Sequence, residues 1–461
     1  MNDILKKFFT KLQIDKIQVA KSATTLADKA GKESIVFYRL SDVSSLKTFQ
    51  KRIEKSQALL YVVEANFQPE IEVDHVVVDR HSFELLQEEI SKIVYPLNRD
   101  IKFVGITGTN GKSSVVNYCA RLLNIIGDPA LAIGTIGLSD GENVIDDDVV
   151  NTTPSYIDLM GIVFKYQNKF KNFIFEFSSH ALDQKRLLNI KLDVAAWTSF
   201  SQDHLDYHKT MEAYFAAKLI IFKHLKDENS KVVVPHQQDF GYKILGIPHC
   251  RNKVVFTKSI DYEKSKLHFV YQQGFNLENL EVSLMVVSLL GHPEVYSIDL
   301  SAIRPPSGRF EIISNGEKFV IVDYAHTPDA IEKLLQSAKA VFKGKKLHLI
   351  FGCGGDRDAK KRPVMGRVAS ENADIVTLTS DNPRSEDPSQ IIDDIAKGMV
   401  NLKRPLIEPD RKLAICNALS TQGAEEVIII AGKGHESTQE INGTKTHFND
   451  KEIVESFLLK R

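Results

Sequence analysis

The sequence has few cysteines, no excess charge and no long hydrophobic run. Its four cysteines, Cys119, Cys250, Cys353 and Cys416, are far apart and form no CxxC pair. That spacing suggests neither a zinc ribbon nor a disulfide framework and suits a reducing cytoplasm. Lys and Arg number 59 against 60 Asp and Glu, so there is no broad positive field to hold nucleic acid or an anionic membrane surface. The N-terminal "MNDILKKFFTKLQ" is only mildly amphipathic. No segment approaches the roughly 18 apolar residues of a membrane span, and no signal-peptide pattern is present. There is no internal repeat or low-complexity tract. The expectation is a soluble, unexported protein with no nucleic-acid partner and no membrane span.

At 461 residues the chain is long enough for about three domains. Two proline-containing joints, "YPLNRD" (95–100) and "AIRPPSGRF" (302–310), read as boundaries. They divide the chain into 1–98, 99–303 and 304–461. After the first joint, the β-rich run "IKFVGITG" enters a glycine-rich turn, and "GKSSVVNYCARLLNIIG" continues with helical periodicity up to Gly127. Short apolar runs "NFIFEF", "LDVAAWTSF", "KVVVP" and "KVVF" alternate with helical stretches, as in a mainly parallel α/β sheet. The last third repeats this logic in a second, doubly wound α/β unit, where "FVIVDYAH", "LHLIFGCGG", "ADIVTLTSDNPR" and "EVIIIAGKGHE" each open on a strand. Ligands bind at the carboxyl ends of strands in such sheets. Asp323, Arg357, Asp381 to Arg384 and Gly432 to Glu436 all follow a predicted strand end and so can share one edge.

"GTNGKSS" offers Gly108, Thr109, Asn110, Gly111, Lys112, Ser113 and Ser114. Small residues let backbone N–H groups wrap phosphates, the lysine reaches the terminal phosphates, and the Ser113 hydroxyl suits magnesium. The usual phosphate-loop pattern has glycine where this chain has Ile106, so the stretch taken alone could be an ordinary glycine-rich turn. Glu176 closes the run "NFIFEF" and His204 lies in "DHLDYH". Both are candidate cation ligands, although an isolated run of this kind is equally well a solvated, helix-capping turn. Lys218 follows in the apolar stretch "AYFAAKLIIF". By default its stem would carry the ammonium to solvent, and beside a cation site its charge is a paradox.

Taken together, "ITGTNGKSS", "NTTPS", "FEFSSHALDQKRL", "SQDHLDYHKTMEAYFAAK", "GRFE", "DYAHTPDAI", "GCGGDRDAKKRP", "DNPRSEDP" and "AGKGHE" resemble the Mur ligase family. The resemblance runs in order from about residue 100 to the end, and is nearest to the enzymes that add the third peptide residue of peptidoglycan. It implies a small N-terminal α/β domain of the kind that binds the UDP-substrate, a central P-loop-type ATPase domain and a C-terminal Rossmann-like domain for the incoming amino acid. The implied reaction uses ATP and Mg2+. The D-Glu γ-carboxylate of UDP-MurNAc-L-Ala-D-Glu becomes an acyl phosphate, and an amino acid's amine then displaces phosphate. Lys112, Glu176, His204 and Lys218 are the implied catalytic residues. Lys218 would be carbamylated by CO2 and would hold magnesium with Ser113, Glu176 and His204, which removes the paradox.

For the nucleotide the resemblance adds Asn276, Asn279, Arg309, Asp323 and His326 to the loop, although the two asparagines could instead cap a helix after "GFN". For the acceptor it implies Asn151, Thr152, Thr153, Ser178, Gln184 and Arg186. For the amino acid it implies Arg357, Asp381, Asn382, Pro383, Arg384, Gly432 and Glu436. "DNPR" resembles the version that takes meso-diaminopimelate. Arg384 can grip the distal carboxylate in a fork and repel the ammonium end of lysine, while "DNPR" alone also reads as a turn capping the next helix. The first 95 residues lack the Asp-Ser-Arg type motif of the family's uridine site, and smaller departures are Ser113 for Thr, Gln202 for Arg and Ser307 for Pro. The alternatives are the same chemistry with L-lysine or a recycled muramyl peptide, and a catalytically inactive nucleotide-binding scaffold. The resemblance implies a monomer.

Overall fold

The computed structural model describes residues 3–98, 100–146, 151–236, 238–258, 267–271, 274–399 and 404–459. Its first sheet has four parallel strands, Ser22–Thr24, Ser34–Arg39, Leu60–Glu64 and His75–Val78, built from β-branched and aromatic residues that pack well on a pleated surface. The helix Arg80–Val94 begins where the Asp79 carboxylate accepts the Ser82 amide at 3.0 Å. It buries Phe83, Leu86, Ile90 and Val94 along one stripe.

The second sheet has eight strands in the order Val254–Phe256, Lys231–Val234, Val194–Trp197, Lys102–Thr107, Asn172–Glu176, Ala130–Gly134, Gly137–Ser139 and Val144–Asp146. Pairing is parallel except at the last two strands. Lys102–Thr107 therefore sits in the middle, and the loop after it emerges between the ends of its neighbours, at Glu176 and Trp197. The helix that follows, Lys112–Ile126, stops at Gly127 in a left-handed conformation (φ +92°) and packs against Phe275–Leu289.

The third sheet runs Glu311–Asn315, Lys318–Asp323, Glu426–Ala431, Lys346–Phe351, Ile375–Leu378 and Leu406–Ile407, parallel apart from the opening hairpin. Alternate residues serve opposite faces. Ile321, Leu349 and Ile429 meet Leu334, Met365 and Ile391 on one side, while Val320, Val322, Ile428 and Ile430 meet Ile415, Leu419 and Val454 on the other. The unit is doubly wound, as the sequence leads one to expect.

Under the carboxyl edge of this sheet lies a fully buried ion pair. Arg411 donates to both Asp450 oxygens at 2.8 and 2.7 Å, and both side chains are 0% exposed. The same guanidinium donates to the carbonyls of Ala431 at 3.0 Å and Ser380 at 3.4 Å, so it ties together two of the chain segments that lead into "GKGHE" and "DNPR". Removing one partner leaves an unpaired buried charge, so Asp450→Ala should cost about 3–5 kcal/mol. The check is denaturant unfolding, with the exposed pair Lys6–Asp3 as a control whose loss should leave the unfolding midpoint in place.

Candidate functional site

Gly111 has φ +85°, and a Cβ there would lie 2.4 Å from the Asn279 carboxamide oxygen, so only glycine fits. The loop it closes is held in shape by its neighbours. The Asn110 amide donates to Ser199 Oγ at 2.8 Å, and the hydroxyls of Thr198 and Ser199 both donate to the Asn110 carbonyl. Lys112 turns back and donates to the carbonyls of Gly108 at 3.0 Å and Thr109 at 2.8 Å.

Lys218 does not reach solvent. Its side chain is 1% exposed, lies over the Tyr214 ring at 4.6 Å, and donates to the same Gly108 carbonyl at 2.7 Å. Burial first, and then the neighbouring Lys112, push its pKa well below the usual lysine range. Burial likewise lowers that of Lys112. The default of a snorkelling stem is thus corrected: an apolar helix face and a carbonyl hold the amine inside.

Glu176 lies beside the loop. Its Oε2 accepts from Ser113 Oγ at 3.0 Å and from the amide and hydroxyl of Thr135 at 3.0 and 3.1 Å. Among the described residues no group of three or more His, Cys, Asp or Glu side chains is placed to hold a metal. The Ser113 and Glu176 oxygens are nevertheless the hard donors magnesium prefers, and ligand phosphates commonly complete such a shell. His204 is in the left-handed region (φ +54°) and precedes the short helix Leu205–His208, with its ring against His180 at 4.9 Å. Burial, opposed by Asp203, lowers its pKa to about 4, which keeps the imidazole neutral and able to ligate. "DHLDYH" is solvated only in part: Asp206 and Tyr207 are exposed, while His208 is buried and bonds Ser179 Oγ at 2.9 Å.

A cleft of about 590 Å³ opens over these groups. Thr109, Asn110, Gly111, Lys112, Ser113 and Ser114 line it with Glu176 and His204, and so do Asn279, Arg309, Asp323 and His326. Arg309 stacks 4.3 Å over Tyr324 and donates to Ser113 Oγ at 3.0 Å. Asp323 is largely occupied by its own chain, accepting the amides of Phe310 and Ala325 at 2.7 Å each. Neither asparagine caps a helix, since Phe275–Leu289 starts after Gly274 without a side-chain cap. The Nδ2 atoms of Asn276 and Asn279 are both buried without a partner. Gly108, Asn276 and Lys218 lie behind the wall of the cleft rather than on it.

Asn151, Thr152, Thr153, Ser178 and Arg186 line the same cleft. Arg186 is fixed by donating to the Thr153 carbonyl at 3.1 Å and to Gln184 Oε1 at 2.8 Å. Gln184 itself lines an adjoining cavity of about 290 Å³, which shares Asn151 and Arg186 with the main cleft. That cavity has Arg39, Lys185 and Arg186 in its wall, the rings of Phe37, Tyr38, Phe83 and Tyr156, and, among the described residues, no carboxylate.

At the other end stand Arg357, Asp381, Asn382, Arg384, Gly432 and Glu436, all beyond strand ends of the third sheet. Pro383 does not line the cleft. Arg384 has φ +54°. It is held there because its amide donates to the Glu440 carbonyl at 3.1 Å and its carbonyl accepts the Asn442 amide at 2.7 Å, while its guanidinium donates to the Gly355 carbonyl at 2.8 Å. "DNPR" does not cap the next helix, because Asp387 does so through the Ser389 amide.

Sequence reasoning missed Thr135, Asp203, His180 and Asp329. Asp329 accepts from Asn110 Nδ2 at 2.8 Å and Ser201 Oγ at 3.0 Å, joining the helix Pro328–Val341 to the glycine-rich loop. Its place in "DYAHTPDAI" was the available signal.

The Mur ligase middle domain family model matches residues 106–299, and the model described as "Mur ligase, glutamate ligase domain" matches 308–434. A protein of Fusobacterium nucleatum named UDP-N-acetylmuramoyl-L-alanyl-D-glutamate--2,6-diaminopimelate ligase is 36% identical over 88% of this chain and 87% of its own. One of the same name from Aquifex aeolicus is 33% identical over 94% and 93%. A solved structure of a ligase of that name is similar at 27% identity and TM-score 0.55, covering 96% and 95%. The MurF ligase of Thermotoga maritima, solved with ADP, shares the fold at TM-score 0.65 and 15% identity, covering 96% and 98%.

Proposed function

The chain belongs to the Mur ligase family, and from that premise we propose that it joins meso-diaminopimelate to the D-Glu γ-carboxylate of UDP-MurNAc-L-Ala-D-Glu at the expense of ATP. The reading rests above all on one observation. Two lysine amines meet on the Gly108 carbonyl, behind the wall of a cleft that Lys112, Ser113, Glu176 and Arg384 line.

Two buried ammonium groups on one carbonyl repel each other, so an anion must join them or one must lose its proton. A neutral Lys218 amine can add CO2, releasing a proton and leaving a carbamate whose oxygens are hard cation donors. A repulsion with Lys112 then becomes an attraction. Magnesium, held by Ser113, Glu176, His204 and the Lys218 carbamate, would draw charge from the transferring phosphoryl group. Lys112 cradles the β and γ phosphates, with the loop amides around them. The acceptor carboxylate takes the γ-phosphoryl group, the amine of diaminopimelate attacks the acyl carbon, and phosphate leaves with one proton lost from nitrogen.

The acceptor's dipeptide faces Asn151, Thr152, Thr153, Ser178 and Arg186, and Gln184 continues the row into the adjoining cavity. Three cations, four rings and no carboxylate among the described residues of that wall suit a nucleoside diphosphate. Arg39, which is paired with Glu64 at 2.6 Å yet still 41% exposed, supplies the cation that the absent Asp-Ser-Arg motif would have given. We assign residues 1–98 to this substrate end, 99–303 to the ATP site and 304–461 to the amino acid. None of the described helices is long and apolar enough to cross a membrane, and we place the reaction in the cytoplasm, carried out by a monomer.

The primary test is phosphate release from ATP with magnesium and UDP-MurNAc-L-Ala-D-Glu. Release is expected with meso-diaminopimelate and not with L-lysine or without amino acid. Arg384→Ala should raise KM for diaminopimelate about tenfold or more, the worth of a charge-assisted pair, and an unchanged selectivity would sink the role of Arg384. Lys218→Ala should abolish turnover and regain part of it on addition of a small carboxylic acid, because the role is to supply an anion. Arg39→Met should raise KM for the UDP-acceptor about tenfold and leave KM for ATP alone, measured by initial rates.

A further inference from the structure

The "AGKGHE" loop holds a lysine that the reaction above does not use. Gly434 has φ +53°, and a Cβ there would meet the Gly308 carbonyl at 2.6 Å and Tyr324 Cβ at 2.8 Å. The backbone therefore turns tightly enough to send Lys433 inward, where its side chain is 0% exposed. Its ammonium donates to the Thr438 carbonyl at 2.7 Å, Glu436 Oε2 at 3.0 Å and Asn382 Oδ1 at 3.2 Å. Asn382 closes the triangle by donating Nδ2 to the same Glu436 oxygen at 2.9 Å, and its Oδ1 also takes the Glu440 amide at 3.0 Å.

The ammonium thus has three acceptors, as a buried charge needs. The result is one rigid unit linking "DNPR" to "GKGHE". Only one Glu436 oxygen is spent in it. Glu436 lines the cleft, and its Oε1 takes no part in the triangle.

We infer that Lys433 is a positioning residue for amino-acid selection, holding Glu436 and Asn382 so that a single carboxylate oxygen meets the ammonium of the incoming amino acid. This rests on the reading of this end of the cleft as the amino-acid site. An untethered Glu436 would swing to any cation offered, including the terminal ammonium of lysine. With Oε2 fixed, the remaining oxygen accepts an ammonium at one distance from Arg384, which matches an amino acid that carries a second carboxylate.

The experiment is steady-state kinetics of the full chain with Lys433→Met, with Lys433→Gln as a second variant should methionine prevent folding. The expected result is a rise in KM for meso-diaminopimelate of about tenfold to a hundredfold, the worth of hydrogen bonds to a charged group. The KM values for ATP and for the UDP-acceptor should stay within about twofold in the same kinetics, because no contact to those sites is lost. In the double variant Lys433→Met with Glu436→Gln, the KM should be no higher than in Glu436→Gln alone, because Lys433 acts through Glu436. An unchanged KM for diaminopimelate, a uniform rise for all three substrates, or multiplicative effects in the double variant would each overturn the assignment. Wild-type turnover with diaminopimelate reports on the parent reading separately, since its absence would fell that reading whatever the variants do.

Discussion

The arrangement of the nucleotide end depends on the carbonyl of Gly108, which accepts from two lysine amines at once. A carbonyl has two lone pairs and can serve both, but the low-dielectric surroundings cannot hold two like charges cheaply. Glu176 and Asp203 offset part of this repulsion, but burial and, for Lys218, the second ammonium outweigh them. The loop is thus preformed by its neighbours and electrostatically unfinished, a state that favours polyanions over neutral ligands. Preorganisation of this kind means the charge is in place before the ligand arrives.

The cleft is assembled from strand ends of two different sheets, and its shape is set by contacts crossing between them. Asp329 takes hydrogen bonds from Asn110 and Ser201, and Arg309 reaches Ser113. Each contact touches the glycine-rich loop around Lys112 or its immediate support. On the third sheet's side, the Arg411–Asp450 pair fixes the backbone from which residues 381–384 and 432–436 spring. Its burial is costly, and tertiary positioning is the role that the two carbonyl contacts point to.

Much of this was legible in the sequence. The strand–loop–helix unit around Lys112 and the doubly wound last third follow from short apolar runs, glycine turns and helical periodicity, all local signals. The grouping of Arg384, Glu436 and Asp323 followed from the rule that ligands sit beyond strand ends. What the sequence did not disclose is direction. Lys218 and Lys433 both lie where a lysine normally reaches solvent, one in an apolar helix and one in a glycine-rich turn, and only the tertiary fold shows their amines pointing inward. Likewise Thr135 and Asp329 carry no motif of their own, and become part of the site because the sheets bring them against Glu176 and Asn110. The asparagines after "GFN" look like caps by residue type, but their position inside the helix leaves that task to no side chain.

Arg384 is held in its left-handed conformation by backbone bonds to the hairpin formed by Thr438–Ile441 and Thr444–His447, whose tip at Asn442 and Gly443 is exposed. An exposed surface element thus carries the guanidinium's coordinates. On the proposed reading of Arg384, a change confined to the hairpin would move the guanidinium while every residue lining the cleft stays the same.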